Sequence, residues 1–470
     1  MTKRTGSMFA TDNTTFINGI GIAFCLLMCV LMLVLPRRLA LLPVIAMVCY
    51  MTMGQRVLVF GLNFTLIRIL LLFGFVRVVI RSEASLENLN RIDKILLGWV
   101  LSSVVTYTLL WKTGDAFVNR LGLAYDAIGL YFLFRFLVRD ADDIRSVIVQ
   151  FAWLTLPLAA CMLIEKRTGQ NPFGALGGVP PETLVREGVL RCQGPFAHPI
   201  LAGTFGSTLL PLFVGLFWQR RHRLLAVAAV ICAATIVICA ASSGPVGAAI
   251  AGLLGLVMWG MRDHMRAVRW TMGLCLVSLH LAMAAPVWFL LSRVGIFGGS
   301  TAYHRAILID NAVHRFPEWW LLGTYSTSHW GYQMFDVTNQ YVLQGVQGGI
   351  VTMVLFIAVI ARCFGAVGHA AGSESKAVRN DKILAWSLGA SLLVHAINYI
   401  SVVYFDQNMV NWYLLLAMIA TLGISQKVPS ERAEGDVGMN LEQSKSVYIG
   451  GRMEHISRLP GVNCMSAGKQ

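Results

Sequence analysis

Residues 199–262 read PILAGTFGSTLLPLFVGLFWQRRHRLLAVAAVICAATIVICAASSGPVGAAIAGLLGLVMWGMR. Three apolar runs, 199–217, 224–241 and 244–261, are parted first by a cationic break (Arg220, Arg221, Arg223) and then by a tight turn at Ser242-Ser243-Gly244-Pro245. Each run has the roughly 17 to 25 residues that a helix needs to cross about 30 Å of hydrocarbon. Working outward, the same pattern recurs near 17–35, 39–54, 57–79, 95–111, 121–138, 146–164, 270–291, 340–361, 383–401 and 408–424. Arg37-Arg38 and Gln55-Arg56 divide the early stretch, so twelve and thirteen spans both fit. The expected fold is all-α, a polytopic integral membrane bundle of about 12–13 transmembrane helices.

Composition agrees. Of 470 residues, 56% are hydrophobic and 13% charged, against about 25% charged in a soluble domain. The net charge of +14 gathers in short clusters at the ends of apolar runs, as membrane topology requires. No separate basic domain exists, so no nucleic-acid partner is expected. Ten cysteines are present. Most lie inside apolar runs, where Cys acts as a small hydrophobe. None forms a CxxC pattern, and Cys192 in a long loop has no evident disulfide partner; neither a metal site nor a cofactor is expected. The amino terminus lacks a small-residue cleavage site after its first apolar run, so it is not expected to be a cleavable signal.

The basic clusters orient the chain. Arg220, Arg221 and Arg223 share one connection, Arg262, Arg266 and Arg269 another, and Arg362, Lys376, Arg379 and Lys382 a third; Arg81, Arg91 and Lys94 agree with them. These alternate with the spans and mark the cytoplasmic side. The expected organisation is a transmembrane bundle over 1–424 and a disordered cytoplasmic tail over 425–470. Two long loops, about 165–199 and 292–339, then face the periplasm. Long loops on a rigid scaffold carry function, and these two are dense in Arg, His, Trp and Gly.

Arg191 and His198 bracket a Gly194-Pro195 turn just before a membrane span. An Arg fork there suits bidentate phosphate binding, or a topological anchor at headgroup level. The second loop holds His304, Arg305, His329, Trp330 and Asp336, and helical spacing over Ala302–Phe316 puts Arg305 near its start. The Trp residues suit sugar stacking, or an interfacial belt. Arg68, Arg77, Asp126, Arg135 and His395 lie inside or at the edge of spans, where ionisable groups are paired or functional. Asp126 and Arg135 are too far apart to pair on one helix, so each is expected to find an interhelical partner. No phosphate loop, HExxH or GxSxG pattern is present. Energy for any reaction must come from an activated substrate or from a gradient.

The stretch from Arg191 through Gly194, Pro195 and Phe196 to His198 and Pro199 resembles the first loop of O-antigen ligases and Wzy-type O-antigen polymerases. The second loop is similar to theirs as well: Arg305 begins a helix, Gly323-Thr324 follows a Leu-Leu pair, the loop closes on Thr338-Asn339-Gln340-Tyr341, and Gly348-Gly349-Ile350 follows in the next span. The likeness covers roughly Leu121 to Phe364. It implies a metal-independent glycosyltransferase of the bacterial inner membrane, acting on its periplasmic face in lipopolysaccharide or exopolysaccharide synthesis. The donor would be a glycan on undecaprenyl diphosphate and the acceptor another lipid-linked glycan. A chain-length regulator and a flippase are the companion proteins such a role implies. Carried over by position, Arg191 and Arg305 grip the diphosphate, while His304, Asn339, Tyr341 and Trp330 line the path of the substrate. Thr338-Asn339 stands where the ligases carry His-Asn, and Ser243-Gly244-Pro245 where the family often has Ser-Arg-Gly. The first departure favours a polymerase over a ligase to lipid A-core. It leaves the general base among His329 and Asp336, with His198 and His304 behind them. A polysaccharide transporter or flippase is the alternative of another class.

Overall fold

The structure is a computed structural model that describes residues 17–59, 62–85, 89–293, 300–375 and 377–422. The expected tail, 425–470, lies outside the described residues, as does Lys376. From the amino end, α1 (Gly19–Val34) leads to a short α2 (Leu42–Tyr50). A hairpin of β1 (Arg56–Val59) and β2 (Leu62–Thr65) follows, then α3 (Leu66–Ile80). Next come α4 (Arg91–Trp111), α5 (Gly114–Leu137) and α6 (Ala141–Thr168). The first long loop carries a hairpin of β3 (Leu184–Arg186) and β4 (Val189–Arg191), and ends on α7 (Pro199–Leu216). Then follow α8 (Arg223–Cys239), α9 (Ser243–Val257) and α10 (Met265–Ala282). The second long loop holds α11 (Ser300–His314) and α12 (Phe316–Trp319) and leads into α13 (Gln340–Ala371), α14 (Arg379–Asn398) and α15 (Gln407–Leu422).

The chain is thus an all-α membrane-embedded protein. Among the described residues, five helical stretches are long and apolar enough to cross a bilayer: α4, α6, α7, the run Ser243–Ala282 and α13. Helix α10 has no buried residue and leaves Trp270 76% and Leu281 79% exposed. Apolar surface on every side of a helix is costly in water and at home in lipid.

Hydrogen bonds gather the helix ends at two poles. At one, Arg37 pairs with Asp143 and Arg145 with Asp381. There Asn90 Nδ2 donates to the Ala420 carbonyl over 3.0 Å and Asp263 accepts from Ser373 N over 2.8 Å. At the other, Thr52 Oγ1 donates to the Gly177 carbonyl (2.7 Å), Tyr325 OH to the Leu110 carbonyl (2.7 Å) and Gln340 N to the Tyr399 carbonyl (2.8 Å). Both long loops belong to this second pole.

Two early segments depart from their expected form. The run 57–79 is not one helix: its first third is the β1–β2 hairpin, with Arg56 opposite Thr65 and Val59 opposite Leu62. The run 39–54 is helical only over α2, whose nine residues rise about 13 Å, under half the hydrocarbon thickness. Beyond Tyr50 the backbone extends, and its polar groups need other partners. Gln407 Nε2 supplies one, donating both to the Met51 carbonyl (3.1 Å) and to the Pro195 carbonyl (3.0 Å).

Helix α7 occupies the centre, with 89% of its span buried. Gly206 allows this, since a Cβ there would lie 2.9 Å from the Ala233 carbonyl oxygen of α8; small residues let membrane helices approach closely. Helix α13 is broken at Gly349, whose φ is +71°. The break frees an N–H and a carbonyl, and the second loop takes both: Ile350 N donates to the Trp320 carbonyl and the Val346 carbonyl accepts from Thr324 N, each over 2.7 Å.

The charges inside the spans are paired. Arg68 of α3 meets Asp126 of α5 at 2.6 Å. Arg135 reaches Asp93 of α4 at 3.4 Å, and Arg77 reaches Glu83 at 2.9 Å. His395 sits 3.0 Å from the Tyr404 hydroxyl.

Candidate functional site

Where the two loops meet, a cavity of about 690 Å³ opens, lined among others by Arg186, Arg191, His198, Ser242, Arg305 and Asp336. Its first wall is the β3–β4 hairpin. Glu187 and Gly188 turn it with φ of +52° and +76°, the left-handed pair of a tight two-residue turn. This puts Arg186 just before the turn and Arg191 at the end of β4. The buried Glu165 at the end of α6 holds the base of the loop. It accepts from Gln193 N (3.0 Å), Gly194 N (2.8 Å) and Thr183 Oγ1 (3.3 Å). Arg191 is thereby fixed, and its Nη2 donates to Ser242 Oγ over 2.5 Å.

The floor is made of helix beginnings. His198 caps α7 with Pro199 as the first helical residue, an arrangement that stops the loop abruptly. The cap hydrogen bond runs from Ile200 N to His198 Nδ1 (3.2 Å). Ser242, Ser243 and Gly244 bring the start of α9 to the same cavity. Two helix amino termini therefore turn their positive ends toward it.

The second loop forms the far wall on a small core of its own: Leu308, Ala312, Trp319, Trp330, Met334 and Val337 packed against Val342 and Val346 of α13. From that core Arg305 extends along α11, and Asp336 and Thr338 approach along the last turn of the loop. The helix expected over Ala302–Phe316 is found over Ser300–His314, with Arg305 in its second turn.

Electrostatically the cavity gathers three arginines. The Nε atoms of Arg191 and Arg305 are buried with no hydrogen-bond partner, and neither side chain meets a carboxylate among the described residues. Arg186 lies 3.7 Å from Glu187. Burial, with the positive fields of Arg186 and Arg191, pulls the Arg305 guanidinium down to about 10. Burial, with Arg186, lowers Arg191 as well. Like charges held together and partly dehydrated bind a multivalent anion strongly, because it removes the repulsion and supplies the missing acceptors.

The expected site residues divide. Arg191, Arg305, His198 and Asp336 meet at the cavity, and His304 stands at its edge, its Nε2 3.4 Å from the Asp336 carbonyl oxygen. The others lie elsewhere. His329 Nε2 is bound to Glu318 at 2.8 Å, a carboxylate held at about 2, chiefly by that histidine. Trp330 is a core residue, 5% exposed, with its Nε1 donating to the same carboxylate. Asn339 caps α13, accepting from Val342 N and donating to the Ile400 carbonyl. Tyr341 donates to the Ala396 carbonyl and packs on Phe356 and Tyr399. His198 lines the cavity but does not fit a base. Its Nδ1 lone pair is used by the cap, which leaves Nε2 carrying the proton. Burial, then Arg191 and Arg186, lowers it to about 4. Among the described residues no three His, Cys, Asp or Glu side chains are grouped as metal ligands would be.

Arg186 was not singled out in the sequence, and Ser242 and Ser243 were read there only as part of a tight turn. The Glu187-Gly188 turn between two short apolar runs was the available signal for the first. For the two serines the one mark was the place of Ser243 where the resembled family often has Ser-Arg-Gly.

Comparison of the chain with protein-family models, with curated proteins and with solved structures finds no match.

Proposed function

We propose that this chain is a membrane glycosyltransferase of the O-antigen polymerase and ligase type, and that it works as a polymerase. The observation that carries the reading is the convergence of Arg186, Arg191 and Arg305 on one cavity without carboxylate partners for the last two. In this reading about 12–13 crossings set the protein in a bacterial inner membrane with both long loops in the periplasm. The two buried guanidiniums, with Arg186, hold the diphosphate of an undecaprenyl-linked glycan. The acceptor hydroxyl attacks the anomeric carbon, and the bond from that carbon to the phosphate oxygen breaks. The electron pair leaves with undecaprenyl diphosphate, whose charge the arginines stabilise most in the transition state. Asp336 takes the proton from the acceptor hydroxyl, being the carboxylate of the second loop that reaches the cavity. Ser242 positions Arg191, and the Nε2–H of His198 donates toward the anion.

The test uses purified protein with an undecaprenyl diphosphate-linked oligosaccharide and EDTA, followed on gels. A ladder of longer glycans with release of undecaprenyl diphosphate is expected. Folded protein that gives neither with its native repeat unit refutes the reading. One observation favours transport instead: the Arg68–Asp126 pair lines a second cavity of about 350 Å³ within the helices. Uptake of labelled lipid-linked glycan into vesicles, lost in Asp126→Asn but intact in Arg305→Ala, would move the assignment there.

A further inference from the structure

The second pole holds one pair of thiols that the cavity does not use. Cys192 directly follows Arg191, the last residue of β4, and Cys239 is the last residue of α8. Cys192 N donates to the Cys239 carbonyl over 3.0 Å, so the two backbones run side by side. The two thiols lie close enough to act on each other. They are 0% and 3% exposed. Backbones joined by a hydrogen bond bring the two side chains within the range over which a disulfide can form. The other close pair, Cys25 and Cys29, is enclosed within the apolar helix α1. Among the described residues, the first pair is the one at the pole of the long loops.

We propose that Cys192 and Cys239 form a disulfide in the mature protein. The inference rests on the reading that this pole faces the periplasm, an oxidising compartment. The oxidant is the disulfide of a thiol-disulfide oxidoreductase, acting while the chain folds and before the sulfurs are enclosed. One cysteine thiolate attacks that disulfide, giving a mixed disulfide. The second thiolate then displaces the oxidoreductase, which leaves as a dithiol. Two electrons pass from the two cysteine sulfurs to the oxidant, and the two cysteine protons end on its two thiols.

The bond has a place in the site. Without it the first loop is tied to the α8–α9 turn by two hydrogen bonds, Cys192 N to the Cys239 carbonyl and Arg191 Nη2 to Ser242 Oγ. Ser242 follows Cys239 by three positions and Cys192 follows Arg191 directly. A covalent link between the sulfurs therefore holds the Arg191–Ser242 pair in register from behind, where no substrate reaches. A guanidinium carried on a short hairpin stays aimed when the strand cannot peel away.

The experiment uses full-length protein in its own membranes, quenched in acid, denatured and treated with N-ethylmaleimide before and after reduction. Two more thiols should react after reduction, and a cross-linked peptide containing Cys192 and Cys239 should appear by mass spectrometry. In Cys239→Ser, Cys192 should react without reductant. Reduction of the wild type should lower its thermal midpoint by about 5 °C, with no such shift in the variant. Alkylation of both cysteines in wild type without reductant overturns the proposal. A parallel variant, Tyr332→Cys, reports sidedness, since Tyr332 is 87% exposed in the second loop. If an impermeant maleimide labels it in intact cells while Cys192 and Cys239 are free, the disulfide falls and the periplasmic reading stands. If it reacts only after lysis, both fall together.

Discussion

Replacing Arg305 by methionine should make the protein more stable and less active at once. The side chain is held in the cavity with its Nε unpaired, beside Arg186 and Arg191. The fall of its guanidinium from 12.5 to about 10 corresponds to about 3 kcal/mol against the charged form. Arg305 is partly reached by solvent, and screening trims the usable part to roughly 1–2 kcal/mol. Methionine keeps most of the length and packing while removing both the charge and the orphaned donor. For a protein of this size the gain should appear as a midpoint higher by about 2–4 °C in detergent. Glycan transfer should fall by about 10²–10³, the usual loss when one buried donor to a developing anion is removed. Inorganic pyrophosphate should raise the midpoint of the wild type and leave Arg305→Met nearly unmoved, since only the former offers the full cluster. The assays are a thermal melt with and without pyrophosphate and the elongation gel. A variant that melts lower than wild type refutes the repulsion argument. One that elongates within tenfold of wild type refutes the role of Arg305 at the diphosphate.

Three further outcomes follow from the same geometry. Asp336→Asn should cost about 10²–10⁴ in elongation rate, whereas His198→Asn, whose Oδ1 can still accept from Ile200 N, should keep the rate within about tenfold; the reverse ranking would make the histidine the base. His198 titrates at about 4 in the folded chain against 6.5 ordinarily. Its neutral form is the folded one, so this contribution is complete above pH 6.5 and is lost as pH falls toward 4. Up to roughly 3 kcal/mol before screening should go, and a melt series across that window should be flatter in His198→Asn. Gly349→Ala should prevent folding, because its Cβ would lie 2.2 Å from the Leu321 carbonyl oxygen at a φ of +71°. A monodisperse, normally expressed variant would remove the kink from the account of the second loop.

Much of the fold was legible because lipid imposes one rule, apolar length, that can be read residue by residue. The rule fails where a segment is apolar without being a spanning helix. Arg56–Thr65 lies in an apolar run yet holds two paired strands, and Gly61 within that run was the available signal in the sequence. Helix α2 stops at Tyr50, and the Met51 carbonyl just beyond it is met by Gln407, 356 positions later, which no local window contains. Arg191, Arg305 and Asp336 could be picked out because charge in a loop of a membrane protein is rare and conspicuous. Trp330 and His329 were just as conspicuous, and there the sequence misled. An aromatic ring serves a loop core as readily as a sugar, and only the Glu318 carboxylate, eleven and twelve positions away, decides between them. The cap geometry that turns His198 from acceptor into donor is likewise set by one backbone N–H.

The double hydrogen bond of Gln407 has a consequence for how the protein is made. Met51 leaves the ribosome early and Pro195 midway, yet the amide that receives their carbonyls arrives with the final helix. Those two carbonyls therefore lack this donor until the helix that carries Gln407 is made. A chain truncated before α15 should be less stable than the full chain, and a separately expressed α15 fragment should restore it.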